Sequence, residues 1–178
     1  MNIIIASDLH GSIKYTRMLF KKVDELDAKK ILLLGDLYYN GARNLPPEEY
    51  SPKDMVELLN SYASKIIAVK GNCDTEVDQM VSNFVISENS TVFIFDKQIT
   101  LTHGHHFNFD NLPVNPGDIF IQGHTHKSVL EYKDNTLLVN PGSVSIPKDG
   151  HHSYMVMNEE GIKLFDLLDD SLLKEIKF

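Results

Sequence analysis

The sequence has little of what would tie a protein to an oxidising compartment, a membrane or a nucleic acid. It contains one cysteine, Cys73, which excludes an intramolecular disulfide framework. No Lys/Arg cluster is longer than a pair and the formal net charge is -8, which disfavours stable binding to nucleic acid or to an anionic membrane. No apolar run approaches the roughly 20 residues of a membrane span, and no basic leader precedes the first apolar run. We therefore expect a cytoplasmic protein without membrane attachment.

The length of the chain and its apolar content predict one domain that spans residues 1–178. Hydrophobic residues make up 42% of the 178 residues, enough for a self-sufficient core. The first half alternates apolar runs at 3–7, 31–34 and 66–70 with helix-like stretches. One helix is predicted from an N-cap at Ser12 to about residue 27, and another from Ser51 and Pro52. This alternation predicts a parallel sheet.

From about residue 85 the pattern changes to short β runs with close turns. The predicted strands cover residues 91–95, 99–102, 119–122, 128–132, 136–139, 154–157 and 162–167. Asp134 and Asn135 are typical of a tight hairpin turn. We expect this half to be mostly antiparallel.

Five of the apolar runs end in clusters of polar residues. These clusters contain Asp8 and His10, then Asp36, then Asn72, Cys73 and Asp74, then His103, His105 and His106, and finally His124 and His126. Each cluster alone is weak, since a lone buried histidine is commonly a hydrogen-bonded core residue. Together they predict a two-metal site, because strand ends meet at one edge of an α/β sheet. Oxygen and imidazole ligands without thiolate suit Mn, Fe, Zn or Co. We expect His151 and His152 to begin a strand instead.

The order of the motifs resembles that of a known family. Asp-x-His, Gly-Asp, Gly-Asn-x-Asp, His-Gly-His and Gly-His-Thr-His resemble the calcineurin-like metallophosphoesterase superfamily across nearly the whole chain. The small size, the loop at 41–50 and the Asn-Pro-Gly-Ser run at 140–143 are most similar to the YfcE-type small bacterial phosphodiesterases. The resemblance implies a four-layer α/β metallophosphoesterase fold, in which two packed mixed β-sheets are flanked by helices.

The same resemblance implies two divalent ions and their ligands. The first ion would take Asp8, His10, Asp36 and His126, and the second would take Asp36, Asn72, His103 and His124. Manganese is favoured, with zinc, iron, nickel, cobalt or magnesium as alternatives. The implied activity is that of a phosphoric diester hydrolase, in which a metal-bridging hydroxide attacks a small phosphate diester in line.

The proton donor for the leaving group is open at this stage. Cys73 stands where many members of the superfamily carry histidine, and its thiol either donates a proton or only fills space. His105 is the other candidate acid, and it could equally contact phosphate or orient His103. We expect Asp74 to cap a turn. The loop at 38–50, with Asn40 and Arg43, is either a lid or a surface insertion.

Three other functions compete with the diesterase. A phosphomonoesterase or a nuclease of the same superfamily would use the same metal chemistry, and an interaction scaffold would use only the fold. The acidic balance and the lack of a basic strand-binding surface argue against a nuclease. The presence of all seven expected ligands argues against a scaffold. We expect a small phosphate-ester substrate, and a homo-oligomer stays open.

Overall fold

The computed structural model describes all residues from 1 to 178. It contains three helices and twelve strands. The helices are α1 (Ile13–Glu25), α2 (Pro52–Ser61) and α3 (Glu76–Val81). The strands are β1 (Ile3–Ala6), β2 (Lys30–Leu33), β3 (Ile66–Val69), β4 (Ile86–Ser87), β5 (Ser90–Ile94), β6 (Lys97–Leu101), β7 (Ile119–Ile121), β8 (Ser128–Lys133), β9 (Thr136–Pro141), β10 (Ser153–Asn158), β11 (Gly161–Asp166) and β12 (Leu172–Lys177). None of the helices has the length and apolar character needed to cross a membrane.

The strands form two mixed sheets, as the family resemblance implied. The first has seven strands in the order β12-β11-β10-β1-β2-β3-β4, and the second has five in the order β5-β6-β7-β9-β8. Strands β1 to β4 pair in parallel, whereas β1 and β10 to β12 pair antiparallel. In the second sheet, β7 pairs in parallel with both β6 and β9.

Each face of the first sheet packs against a different hydrophobic cluster. Ile3 and Ile5 face the second sheet, whereas Ile4 and Ala6 pack in the cluster that includes Leu19 and other residues of α1. Successive side chains of a strand point to opposite faces, so a strand covered on both sides must be apolar throughout. This is why β1 and β2 appear in the sequence as continuous apolar runs.

Several predicted elements are confirmed, and one strand pairs differently from its neighbours. Helix α1 begins after an N-cap at Ser12, and α2 begins at Pro52. The turn at Asp134 and Asn135 joins β8 to β9, with φ of 48° and 63°. The second half is mostly antiparallel, as predicted, because β5–β6, β8–β9, β10–β11 and β11–β12 all pair antiparallel. Strand β7 is the exception, since no close turn joins it to β6 and the long segment between them lets β7 enter beside β6 in parallel.

Candidate metal centre

The predicted ligands lie at the carboxyl ends of strands from both sheets. Asp8 and His10 follow β1, Asp36 follows β2 and Asn72 follows β3, all in the first sheet. The other three ligands follow strands of the second sheet, namely β6 for His103 and β7 for His124 and His126. The packing of the two sheets therefore brings together residues that are more than 100 positions apart, such as His10 and His126.

The backbone at these residues is unusual. Positive φ angles occur at five of the seven predicted ligands, which are Asp8 (56°), His10 (45°), Asp36 (54°), His124 (67°) and His126 (58°). Non-glycine residues rarely adopt this left-handed conformation, and such strain persists where the surroundings impose it and tends to cluster at functional sites. Apart from the position of these residues directly after strands, no feature of the sequence indicated the left-handed conformation.

One group of ligand atoms surrounds the carboxylate of Asp8. Its Oδ1 lies 3.1 Å from His126 Nε2 and 3.5 Å from His10 Nε2. Its Oδ2 accepts hydrogen bonds from the Ser7 hydroxyl at 2.6 Å and the His124 amide at 3.0 Å. Asp8 Oδ1 is buried and has no hydrogen-bond partner. A buried carboxylate oxygen of this kind is costly unless a cation satisfies it.

Backbone carbonyls fix the orientation of three histidines. His10 Nδ1 lies 3.0 Å from Tyr39 O, His126 Nδ1 lies 2.8 Å from Ile146 O, and His103 Nδ1 lies 2.6 Å from Leu34 O. A carbonyl only accepts, so each Nδ1 carries a hydrogen and, in the neutral ring, each Nε2 presents a lone pair. The Nε2 atoms of His10 and His126 are 3.2 Å apart. Two lone pairs that face each other repel unless a positive charge lies between them.

Asp36 lies between this group and a second one. Its Oδ2 is 3.7 Å from His10 Nε2 and 3.5 Å from His103 Nε2, while its Oδ1 accepts a hydrogen bond from the Cys73 amide at 2.8 Å. His103 Nε2 in turn lies 3.1 Å from Asn72 Oδ1. The ring centroids of His124 and His103 are 5.1 Å apart. The free oxygen of Asp36 therefore faces both groups.

These donor sets fit divalent cations. Metal–ligand bonds of about 2.1 Å separate neighbouring ligand atoms by roughly 3.0 to 3.4 Å, close to the spacings around Asp8 and Asp36. Three overlapping clusters have ligand atoms within 4.8 Å of one another: Asp8, His10 and His126; Asp8, Asp36 and His103; and His10, Asp36 and Cys73. Carboxylate, amide and imidazole donors suit Mn, Fe, Zn or Co.

Comparison with known proteins agrees with the geometry. Residues 1–161 match the family model of the calcineurin-like phosphoesterase superfamily domain. The chain belongs to the calcineurin-like phosphoesterase superfamily. It is 40% identical to phosphodiesterase YfcE of Escherichia coli K12, over 99% of this chain and 97% of that protein.

Solved structures agree with this membership. The structure of the E. coli phosphoesterase YfcE matches with a TM-score of 0.97 over 99% of both chains, at 40% identity. Vacuolar protein sorting 29 from Cryptosporidium parvum shares the fold, with a TM-score of 0.67 and 22% identity over 99% of this chain and 98% of that one. The chain therefore has the metallophosphoesterase fold. Membership in this superfamily implies divalent metal ions.

In this calcineurin-like phosphoesterase, Asp74 connects two ligand-bearing loops. Its carboxylate accepts hydrogen bonds from the amides of Gly71 at 2.7 Å and of Asp36 and Leu37 at 2.8 Å each. The predicted turn cap is confirmed by the bond from Gly71. The other two bonds lead to the loop that carries Asp36, a role that the sequence did not indicate.

The two candidate acids lie in different surroundings. Cys73 is half-buried, and burial together with Asp36 raises the pKa of its thiol to about 12. His105 lies beside His106, with ring centroids 4.0 Å apart. Burial, followed by the neighbouring His103, lowers the pKa of His105 to about 4, and its Nδ1 has no hydrogen-bond partner. Of the two candidate acids, Cys73 is the one with its sulfur within 4.8 Å of ligand atoms of His10 and Asp36.

The segment at 38–50 is held against the body of the protein and forms one wall of the site. Ser12 Oγ donates to Glu48 O at 2.7 Å, and Ser12 pairs with Tyr50 in an isolated bridge. Asn40 Nδ2 donates to Asn44 O at 2.7 Å within the segment and is buried. Tyr39 O is the carbonyl next to His10. The segment, for which the sequence left a lid and a surface insertion open, is therefore an anchored wall that orients His10.

The segment after β9 supports the ligand loops from behind. Asn140 Nδ2 donates to Gly123 O at 2.8 Å, and the hydroxyls of Ser143 and Ser145 donate to Asp8 O at 2.9 and 3.0 Å. His151 and His152 take no part in the site and directly precede β10. His151 Nδ1 instead lies 2.8 Å from Asp166 Oδ2.

The ligands open onto a cleft of about 740 Å³. Its walls carry polar side chains that no sequence motif indicated, namely Tyr39, Asn44, Thr75 and Lys148. They also carry Thr125 of the Gly-His-Thr-His motif and Arg43 of the loop at 38–50. Arg43 and Lys148 are exposed. A cleft of this size accommodates a small organic ligand.

Proposed function

We propose that this protein is a divalent-metal-dependent phosphodiesterase that hydrolyses a small phosphate diester. The observation that carries the proposal is the unpartnered Oδ1 of Asp8, which faces the Nε2 atoms of His10 and His126. The 40% identity to a phosphodiesterase over nearly the whole chain supports the same reaction.

The proposed ligands of the first ion are Asp8, His10, Asp36 and His126, and those of the second are Asp36, Asn72, His103 and His124. The free Oδ2 of Asp36 between His10 and His103 supports its bridging role. The combination of oxygen and imidazole donors suits Mn, Fe, Zn or Co, and of these we favour manganese. When bound, the ions supply an activated water as nucleophile and neutralise charge on the phosphate oxygens.

The residues of the chain hold the reacting groups in place. The carbonyls of Tyr39, Leu34 and Ile146 accept hydrogen bonds from the Nδ1–H groups of three histidines, namely His10, His103 and His126. These bonds orient the Nε2 atoms of the histidines toward the proposed metal centre. In hydrolysis, one P–O ester bond breaks as water adds to phosphorus, and the departing alkoxide gains a proton. Of the two candidate donors, Cys73 lies nearer the proposed ions, because its sulfur is within 4.8 Å of ligand atoms of His10 and Asp36.

We further propose that residues 1–178 form one domain and that its substrate is a small phosphate ester. We also propose that the protein is cytoplasmic. The single cysteine and the net charge of -8 support the last assignment and the absence of stable nucleic-acid binding.

The test compares turnover of paired aryl phosphate diesters and monoesters by metal-stripped protein refilled with Mn, Mg or Zn. We expect diester hydrolysis restored by Mn, and its loss in His126→Ala but not in His151→Ala, whose histidine lies outside the site. Preference for the monoester would favour a phosphomonoesterase. No turnover by protein shown to bind two ions would favour a scaffold.

A further inference from the structure

We propose that the substrate is a phosphodiester that carries a second, non-scissile phosphate on one ester group, and that Arg43 and Lys148 recognise it. This inference rests on the proposed diesterase function and narrows its substrate class.

The charges on the cleft wall differ from those of the chain as a whole. The chain has 25 acidic and 17 basic residues, yet Asp36 is the only acidic residue that lines the cleft. Asp36 is already committed to the metal centre. The lining cations, Arg43 and Lys148, therefore leave a positive wall around the ligands in an acidic protein.

Neither cation is neutralised within the molecule. Arg43 and Lys148 form no ion pair, whereas Lys14, Lys22 and Lys70 each pair with a carboxylate. A cation without a partner gains a full charge contact when an anion binds, since no internal pair has to break first. Arginine offers a planar fork that matches phosphate oxygens, and lysine adds a point charge.

The two cations reach the cleft from different segments. The Lys148 amide donates to His126 O at 2.9 Å, which ties this segment to a ligand of the first ion. Gly41, two residues before Arg43, lies so close to Cys73 that a Cβ there would meet Sγ at 2.9 Å. The positive charge thus flanks the metal centre rather than lying within it. That is where an ester substituent of the bound phosphate would extend.

The cleft also has room and donors for such a substituent. Its volume of about 740 Å³ is larger than a simple dialkyl phosphate needs. The Tyr39 hydroxyl on the same wall makes no hydrogen bond within the protein, whereas the side chains of Asn44, Thr75 and Thr125 already donate to other groups. Together with the two cations, this wall favours an anionic substituent over an apolar one.

The experiment uses two para-nitrophenyl phosphate diesters with the same leaving group. The second alcohol is n-butyl in one and a phosphonopropyl chain in the other, whose phosphonate cannot be hydrolysed. We expect the Mn-loaded protein to prefer the phosphonopropyl ester in kcat/KM. The ratio of the two kcat/KM values should fall about tenfold in Arg43→Gln/Lys148→Gln, because each exposed charge contact contributes a few-fold. Lys53→Gln/Lys177→Gln removes the same charge from other surfaces and should leave the ratio unchanged.

Two results would overturn the inference. One is an equal ratio in the native protein and the Arg43→Gln/Lys148→Gln variant, and an equal loss on both esters within that result would assign the cations to the scissile phosphate. Turnover of neither ester would contradict the proposed function itself, and the inference with it.

Discussion

At the scale of single residues, the site depends on side chains that hold other side chains. The histidines next to Asp8 and Asp36 are aimed by carbonyls, and the loops that carry them are tied together by Asp74. Motif spacing predicts the ligands because the candidate residues follow strands. It does not identify the supporting bonds, because those join residues such as Asp74 and Leu37 that are distant in sequence.

The contribution of Asp74 can be measured with Asp74→Asn. An amide accepts at one end only, so its NH₂ would face a backbone N–H that the carboxylate now satisfies. We expect a loss of about 2 kcal/mol in the free energy of unfolding and weaker metal binding. Urea denaturation and metal titration check this. The matched change Asp78→Asn, in the capping box of α3, should leave metal affinity unchanged.

The pair of His151 and Asp166 predicts a pH dependence outside the site. The hydrogen bond from His151 Nδ1 to Asp166 raises the pKa of His151 above its usual 6.5. Its stabilisation is thus present below that pH and is lost as pH rises through the folded-state pKa. Asp166→Asn should lower the pKa of His151, as followed by NMR titration of its ring protons. If the control change Asp134→Asn, in the β8–β9 turn, lowered the pKa of His151 equally, the pairing of His151 with Asp166 would be disproved.

At the scale of secondary structure elements, prediction succeeded where burial leaves a clear pattern. Strands β1, β2 and β3 are apolar runs because sheet and helices cover them. Strand β12 was missed because its side chains are mostly exposed, and α3 was missed because it has only six residues. The hydrophobic pattern also did not predict which strands pair with each other, since the apolar run of β7 does not indicate that both its neighbours are parallel.

The wall segment at 38–50 provides a prediction at this scale. Ser12 caps α1 through the Tyr15 amide and also donates to Glu48 O. We expect Ser12→Ala to lower the free energy of unfolding by about 1–2 kcal/mol. It should also lower kcat/KM, because Tyr39 of the same segment orients His10. Ser61→Ala, which removes an exposed bond to Leu58 O in α2, should change neither beyond about 0.5 kcal/mol. Equal effects of the two changes in denaturation and kinetics would contradict the anchoring role.

At the scale of the whole molecule, the proposed metal centre requires both sheets to be in place. The first sheet contributes Asp8, His10, Asp36 and Asn72, and the second contributes His103, His124 and His126. A ligand that binds across both sheets stabilises their packing, because it binds the folded state alone.

Metal binding should therefore raise the melting temperature. Mn at one hundred times its Kd would add about 2.7 kcal/mol for one site, or about 5–10 °C for a chain of this length. Differential scanning calorimetry with and without a chelator measures the shift. His126→Ala should lose most of it, and His151→Ala should keep it. A full shift in His126→Ala would place the ion elsewhere.

Five proposed ligands have positive φ angles, so selection for heat resistance and selection for catalysis would favour different residues at these positions. Glycine adopts this conformation freely, whereas other residues bear about 1–2 kcal/mol of strain. At the half-buried His124, where φ is 67°, glycine would relieve that strain and remove a proposed ligand. A library screened for thermal survival in chelator would thus enrich inactive glycine variants, whereas screening in Mn would favour the native histidine.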